Sequence, residues 1–179
     1  MELEIRQARS EDDFDQVRGL YRSFLDWMTQ TYHDVLFLLE DYLASVKAES
    51  EALPGTFGPP NGSLLLAWID GTAVGTVALQ DFGDGTCEMK RMFVSTSAQG
   101  NGVGRALVEQ ILEEARKHGY DRMVLETGPR QLAAKRLYAR SGFQEIQPYY
   151  DFDLGVPEEI IASLPEDIQL GVTFMEFKF

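Results

Sequence analysis

The segment Gln99-Gly100-Asn101-Gly102-Val103-Gly104 constrains this chain more than any other. Before it, TCEMKRMFV (86–94) alternates as a strand; after it, Val103, Ala106, Leu107, Ile111, Leu112 and Ala115 recur at helical spacing. The pattern predicts a helix over about 102–118, ended by Gly119. Alternate glycines strip the side chains from one face of the turn. Backbone N–H groups can then converge on an anion, and the helix dipole adds about half a positive charge there. Arg105 supplies a formal charge nearby, so a phosphate or pyrophosphate suits the turn. A plain tight connection between strand and helix is the competing reading. A Walker loop is a poor fit, because no Lys-Ser or Lys-Thr follows the glycines. A dinucleotide fingerprint also fits poorly: the spacing is GxGxG, and the strand before it follows an antiparallel meander.

That meander is legible from its turns. LLLAWI (64–69) and AVGTVALQ (73–80) flank Asp70-Gly71, a hairpin signal, and FGDG (82–85) turns the chain into the third strand. Strict alternation along 86–94 places Cys87, Met89 and Arg91 on one face and Glu88, Lys90 and Met92 on the other. Ahead of the meander lie a short strand (3–8), a helix opened by Ser10, Asp12 and Asp13, a second helix over about 34–50, and a Gly/Pro loop at 53–62. After the glycine turn and its helix come a strand at 121–127, a helix at 130–141, a strand at 143–150, a short helix at 157–164 and a closing strand at 171–179. The fold class is α+β: one domain with a mixed, mostly antiparallel sheet flanked by helices.

Composition excludes several functions. The net charge of −13 argues against a nucleic-acid partner, which calls for clustered positive charge. One cysteine and two histidines leave no disulfide framework and no ligand set for a metal. The longest apolar stretches fall far short of the roughly 20 residues of a membrane helix, and MELEIRQARSEDD is not a signal peptide pattern. A cytoplasmic protein without membrane attachment is the expectation.

Three features taken together resemble the GNAT family of N-acetyltransferases, a bacterial small-molecule subgroup in particular. Gln99, Gly102 and Gly104 match that family's Q/RxxGxG/A motif; CEMKRMFV and MVLET resemble the strands on either side; Leu137-Tyr138-Ala139-Arg140-Ser141-Gly142-Phe143 matches its LYxxxGF signature. The likeness is strongest over about 64–150, a cofactor core, with residues 10–50 as a helical front on the acceptor side of a single domain spanning 1–179.

The resemblance implies transfer of an acetyl group from acetyl-CoA to an amine, a small molecule in the first instance, by direct attack in a ternary complex. The alternative is an acyl-CoA-binding or sensory module without turnover. It also implies that Met92, Phe93 and Val94 pair with the pantetheine arm, and that Gln99, Gly100, Asn101, Gly102, Val103, Gly104 and Arg105 hold the diphosphate. Val94 would offer an N–H to the oxyanion. Tyr138 takes the place of the acid for the CoA thiolate, unless it is simply a core aromatic. Glu88 takes that of the base, unless it merely pairs with Lys90 or Arg91, and Glu126 is a second base candidate. Gln131 stands where many members carry a cofactor-binding Asn.

The remaining residues read more plainly. Cys87 is a small buried hydrophobe, His118 complements a helix dipole, and His33 caps or faces solvent. Trp27, Tyr32, Phe37 and Tyr42 are core aromatics, some of which would line an acceptor pocket, where Asp26, Asp34, Glu40 and Asp41 would read a cationic amine by charge and position. The excursion 151–170 would cap that site or stay on the surface, and a strand edge near the C terminus allows a homodimer.

Overall fold

In the computed structural model, which describes residues 2–151 and 155–179, β1 (Leu3–Gln7) leads into α1 (Glu11–Thr31). Ser10 and Asp13 cap α1 reciprocally: the Ser10 hydroxyl accepts the Asp13 N–H, and the Asp13 carboxylate accepts the N–H groups of Arg9 and Ser10. Arg6 Nη2 lies 2.7 Å from the same carboxylate, and its guanidinium holds the Asp13 carboxyl well below the usual range. The helix expected over 34–50 is instead a 3₁₀ turn at Leu36–Leu38 followed by α2 (Glu40–Glu51). The cause is distant in sequence. Arg130 binds the Thr31 carbonyl at 2.8 Å and grips the Asp34 carboxylate with both terminal nitrogens, so Asp34 is fixed outside the helix.

The meander forms as read, with β2 (Ser63–Ile69), β3 (Thr72–Gly83) and β4 (Thr86–Val94). Both connecting turns are left-handed at two successive residues: Asp70 and Gly71 at φ 48° and 80°, Asp84 and Gly85 at 49° and 70°. Then follow α3 (Val103–His118), β5 (Arg122–Thr127), α4 (Leu132–Arg140), β6 (Gln144–Ile146), α5 (Glu158–Ser163), α6 (Glu166–Gln169) and β7 (Thr173–Lys178). The strand expected over 143–150 is cut to β6. Pro148 lacks the N–H a ladder needs, and Tyr149 and Tyr150 leave the sheet to meet side chains elsewhere. The short helix α6 has no counterpart in the sequence reading. Residues 152–154 of the 151–170 excursion lie outside the described residues.

The sheet has seven strands in the order β1-β2-β3-β4-β5-β7-β6, and only β4 and β5 pair in parallel. The edge near the C terminus is therefore the short β6, with β7 enclosed between β5 and β6. One face of the sheet is covered by α3, whose Leu107, Val108 and Ile111 pack on Leu65, Val77 and Met123. On the other face Val17, Tyr21 and Phe24 of α1 pack on Leu64, Leu66 and Ala78. Among the described residues no helix is long and apolar enough to cross a membrane.

The alternation read along β4 fails at one point. Thr76 pairs with Phe93 and Ala78 with Lys90, so Arg91 and Met92 together oppose Val77. This is a β-bulge. Arg91 sits at φ 55°, a conformation that side chains other than Gly, Asn and Asp rarely adopt. The faces are exchanged beyond it: Met92 and Val94 join the α3 side, while Phe93 joins the α1 side. Arg91 is held there by α2. Its Nε and Nη2 donate to the two oxygens of Glu49 at 2.6 and 2.9 Å, and Nη1 donates to the Tyr42 hydroxyl at 3.0 Å. Its guanidinium also stacks 5.0 Å from the Tyr42 ring centre.

Arg91→Ala should therefore leave Glu49 with only the more distant Lys90, at 4.0 Å, and the bulge without its anchor. Loss of one partner of a buried pair costs about 3–5 kcal/mol. Urea unfolding should show a drop of that order, and a loss under about 1 kcal/mol would mean that the pair does not hold the bulge.

Candidate active site

The bulge turns β4 away from its parallel neighbour. Thr86, Cys87 and Glu88 register with Arg122, Met123 and Val124, and there the pairing ends. The edge of β4 from Met89 to Val94 has no strand partner on that side. Ser95 donates its N–H to Val74 on β3 at 2.8 Å, so by strand alternation the Val94 backbone faces the opening. Its carbonyl accepts the Gln99 side-chain amide at 3.0 Å, which leaves the N–H turned toward the gap.

The glycine turn stands at the wide end of this gap. Gly100 and Gly102 adopt φ 78° and 79°. Ala106 makes the first helical bond, to the Gly102 carbonyl at 3.0 Å. The N–H groups of residues 100–105 donate to no acceptor among the described residues, and α3 has no side-chain cap. Gln99 and Asn101 turn back to the carbonyls of Val94 and Ala98 and leave the mouth clear. A helix N-terminus of this kind attracts an anion by both geometry and dipole. Arg105 contributes less than its charge suggests, since it is exposed and pairs with Glu109 at 2.7 Å. At Gly104 an added Cβ would lie 3.2 Å from Leu137 Cδ2 and 3.6 Å from Met92 Cε, so glycine there lets α3 close on α4 and β4.

A groove of about 400 Å³ runs from this turn along the open edge of β4. Met92, Phe93 and Val94 line it together with Phe24, Trp27 and Leu137. It leads to a small cavity at the apex of the gap, lined by Glu88, Glu126, Gln131 and Tyr138 among others. Tyr138 is buried, and its hydroxyl makes no hydrogen bond among the described residues. Burial pushes that hydroxyl well above the ordinary tyrosine range, so it keeps its proton.

The two carboxylates are both engaged. Glu88 accepts from Gln80 Nε2 at 2.8 Å and from the Tyr149 hydroxyl at 2.9 Å, with Lys90 Nζ 3.7 Å away. Glu126 accepts from the Tyr150 hydroxyl. Burial first, and the nearby carboxylates second, raise both tyrosines above their usual range. The sequence reading did not assign these two tyrosines a role; the truncated β6 is what delivers them. Gln131, expected at the cofactor, uses its carbonyl internally, accepting the Gly128 N–H at 2.7 Å and the Thr127 hydroxyl at 3.0 Å. Its amide NH₂ contacts the Met28 sulfur at 3.9 Å on the side of the cavities that it lines.

A third cavity, about 280 Å³, opens on the far side of the apex between α1, α2 and α6, with Tyr32, Asp41, Tyr42, Glu126 and Ile168 in its wall. The acidic residues proposed to read an amine are divided by the fold. Asp34 belongs to Arg130, whose hydrogen bonds take its carboxyl down to about 2. Asp26, Glu40 and Asp41 are all exposed, and of the three Asp41 alone lines the cavity. Trp27 lines the groove instead, and Phe37 is 52% exposed. Cys87 is fully buried, and burial pushes its thiol up to about 12, so it is no nucleophile. His33 contacts the Gln30 carbonyl and His118 the Ser63 hydroxyl, both away from the gap.

This geometry coincides with a known family. The sequence pattern of the Acetyltransferase (GNAT) family matches residues 17–143. The chain belongs to the GNAT family of acetyltransferases. An uncharacterized N-acetyltransferase of Schizosaccharomyces pombe is 36% identical over 152 residues, spanning 83% of this chain and 86% of its own length. An IAA acetyltransferase of Azospirillum brasilense is 39% identical over 115 residues, spanning 62% of this chain and 75% of its own. The PaiA N-acetyltransferase of Thermoplasma acidophilum, solved in complex with coenzyme A, shares the fold over 100% of both chains with a TM-score of 0.71 and 20% identity.

In this GNAT fold Arg130 ties together the elements around the third cavity. Besides Asp34 and the Thr31 carbonyl, it binds Asp167 of α6 at 2.6 Å. Both carboxyls are held below their unfolded value by hydrogen bonds to Arg130. Their contribution to stability is therefore complete above about pH 4 and is lost as pH falls toward the Asp34 value of about 2. Arg130→Gln should lower the melting temperature at pH 6, and the gap from wild type should narrow as the pH drops from 4 to 2.5. A gap that stays constant over that range would exclude the bracket.

Proposed function

We propose that the chain transfers the acetyl group of acetyl-CoA to an amine by direct attack while both are bound. One observation carries this reading: the unpaired N–H groups of residues 100–105 open onto a groove that ends at the unpaired hydroxyl of Tyr138. The coenzyme A complex of the PaiA structure supports the same use of the fold.

In this reading the turn binds the diphosphate, and the free edge of β4 at Met92–Val94 receives the pantetheine arm as an added strand. That arrangement brings the thioester to the apex. The Val94 N–H faces the carbonyl oxygen and stabilises the negative charge that develops on it. An alkyl amine has a pKa near 10.4, so attack requires that a proton be removed. Glu126 lines both the apex and the acceptor cavity, whereas Glu88 lines the apex alone and carries three polar contacts. We assign the base to Glu126, acting through its own oxygen or a water. Nitrogen then bonds to the acetyl carbon, the carbon–sulfur bond breaks, and Tyr138 gives its proton to the departing thiolate. Burial keeps that proton in place for the step; because the hydroxyl is a weaker acid than a thiol of pKa about 8.5, the transfer is completed when the proton that Glu126 took from the amine passes through water to the phenolate.

The acyl-CoA-binding alternative requires the turn but not Tyr138. Coenzyme A at 100 times Kd should stabilise the protein by about 2.7 kcal/mol in either case. Tyr138→Phe separates them: for the enzyme kcat should fall by about 100-fold, the usual weight of an acid–base group, with coenzyme A stabilisation retained. Glu126→Gln should depress kcat more than Glu88→Gln. An unchanged kcat in Tyr138→Phe would remove the acid from the mechanism.

A further inference from the structure

The acceptor cavity has a composition that selects among amines. Its wall is apolar over most of its extent, with Met28, Val35, Leu38, Leu39, Ile168 and Val172. Its ionisable groups are Asp41 and Glu126, together with the Tyr32 and Tyr42 phenols. Among the described residues no Lys, Arg or His lines it. The cations around it are already matched: Arg130 by Asp34 and Asp167, Arg91 by Glu49, and Lys90, which with Arg91 lines the apex, by Glu88 at 3.7 Å. Arg130 lies 5.4 Å from the ring centre of Tyr32 and Arg91 5.0 Å from that of Tyr42. Asp41, by contrast, makes no hydrogen bond or ion pair among the described residues. Glu126 stands where the cavity meets the apex.

We infer that the acceptor is a cationic amine on a small apolar body, one ring or a short alkyl chain, that carries no carboxylate. The inference rests on the acetyltransferase reading and narrows it. The apolar wall takes the body of the ligand. Asp41 attracts the ammonium form on entry, and Glu126 receives it at the reacting end. A carboxylate on the acceptor would face two like charges and find no unpaired cation, since Lys90 and Arg91 at the apex already serve Glu88 and Glu49, and burying it against apolar walls without a partner is unfavourable. At about 280 Å³ the cavity falls at the small end of ligand sites. An amino acid or an acidic amine is thus excluded by charge, and a peptide by size.

Matched pairs that differ only by the α-carboxylate test this on the full chain: 2-phenylethylamine against phenylalanine, and pentylamine against norleucine. Acetyl transfer is read by thiol release, with aspartate as an acidic control and coenzyme A stabilisation measured in parallel. The expected kcat/KM favours each decarboxylated member by more than tenfold. Asp41→Asn should raise KM for 2-phenylethylamine about tenfold, the weight of one charge-assisted hydrogen bond, with a much smaller change in kcat. Asp41→Arg should shrink or reverse the preference within each pair. Equal or better use of phenylalanine, norleucine or aspartate would overturn the inference, as would an Asp41→Asn variant with unaltered KM. Coenzyme A stabilisation without transfer to any of these amines would overturn the inference and leave the cofactor site standing. No stabilisation by coenzyme A would instead bring down the acetyltransferase reading beneath it.

Discussion

A single ion pair makes the rest of this site possible. Glu49 reaches from α2 to grip Arg91 in the middle of β4, at a residue whose backbone is left-handed. Without the bulge, β4 and β5 would continue their parallel pairing beyond Glu88 and Val124, and the sheet would close over its own active site. With it, one strand edge is kept free in the centre of the sheet rather than at a border. Unpaired edges are usually a liability. Here the edge lies at the bottom of a groove walled by Phe24, Trp27 and Leu137, where it is open to a ligand but shielded from another sheet.

The elements that hold the site are shared between the groove and the third cavity. Gln131 lines the groove, the apex and the acceptor cavity, and its carbonyl fixes the turn between β5 and α4. Arg130, its neighbour, lines the groove on one side and on the other fastens α1, the 31–34 connection and α6 to that same turn. Side chains from distant parts of the sequence thus converge on two consecutive residues. Any shift at the N-terminus of α4 is felt by the donor groove and by the acceptor wall together.

Local signals were legible in the sequence and distant ones were not. The seven strands, the paired left-handed turns, the Ser10 cap and the helix after the glycine turn are each set by a few adjacent residues. Such features survive folding because the tertiary context agrees with them. The bulge gave no sign, since TCEMKRMFV alternates without a break and Arg91 owes its backbone conformation to Glu49, 42 positions away. The split of the 34–50 helix failed for the same reason: Asp34 answers to Arg130, 96 positions on. Of the candidate site, the turn and Tyr138 were found through motifs, whereas Tyr149 and Tyr150 were hidden by a strand pattern that Pro148 interrupts. Pro148 was the one readable clue to them.

The opposed polarity of the two ends ties the arrangement to its chemistry. At one end the unpaired N–H groups of α3 and its dipole present positive potential, although the protein as a whole carries −13. At the other end Lys90 and Arg91 offset Glu88 and Glu126 at the apex, and the cavity beyond it presents Asp41 and Glu126 with no cation among the described lining residues. On the proposed reading, a donor with an anionic diphosphate and an acceptor with a cationic nitrogen would be drawn to opposite ends of one channel and would meet at its apex. Tyr138 lines that apex as a neutral group, because burial in a low-dielectric site disfavours the charged phenolate.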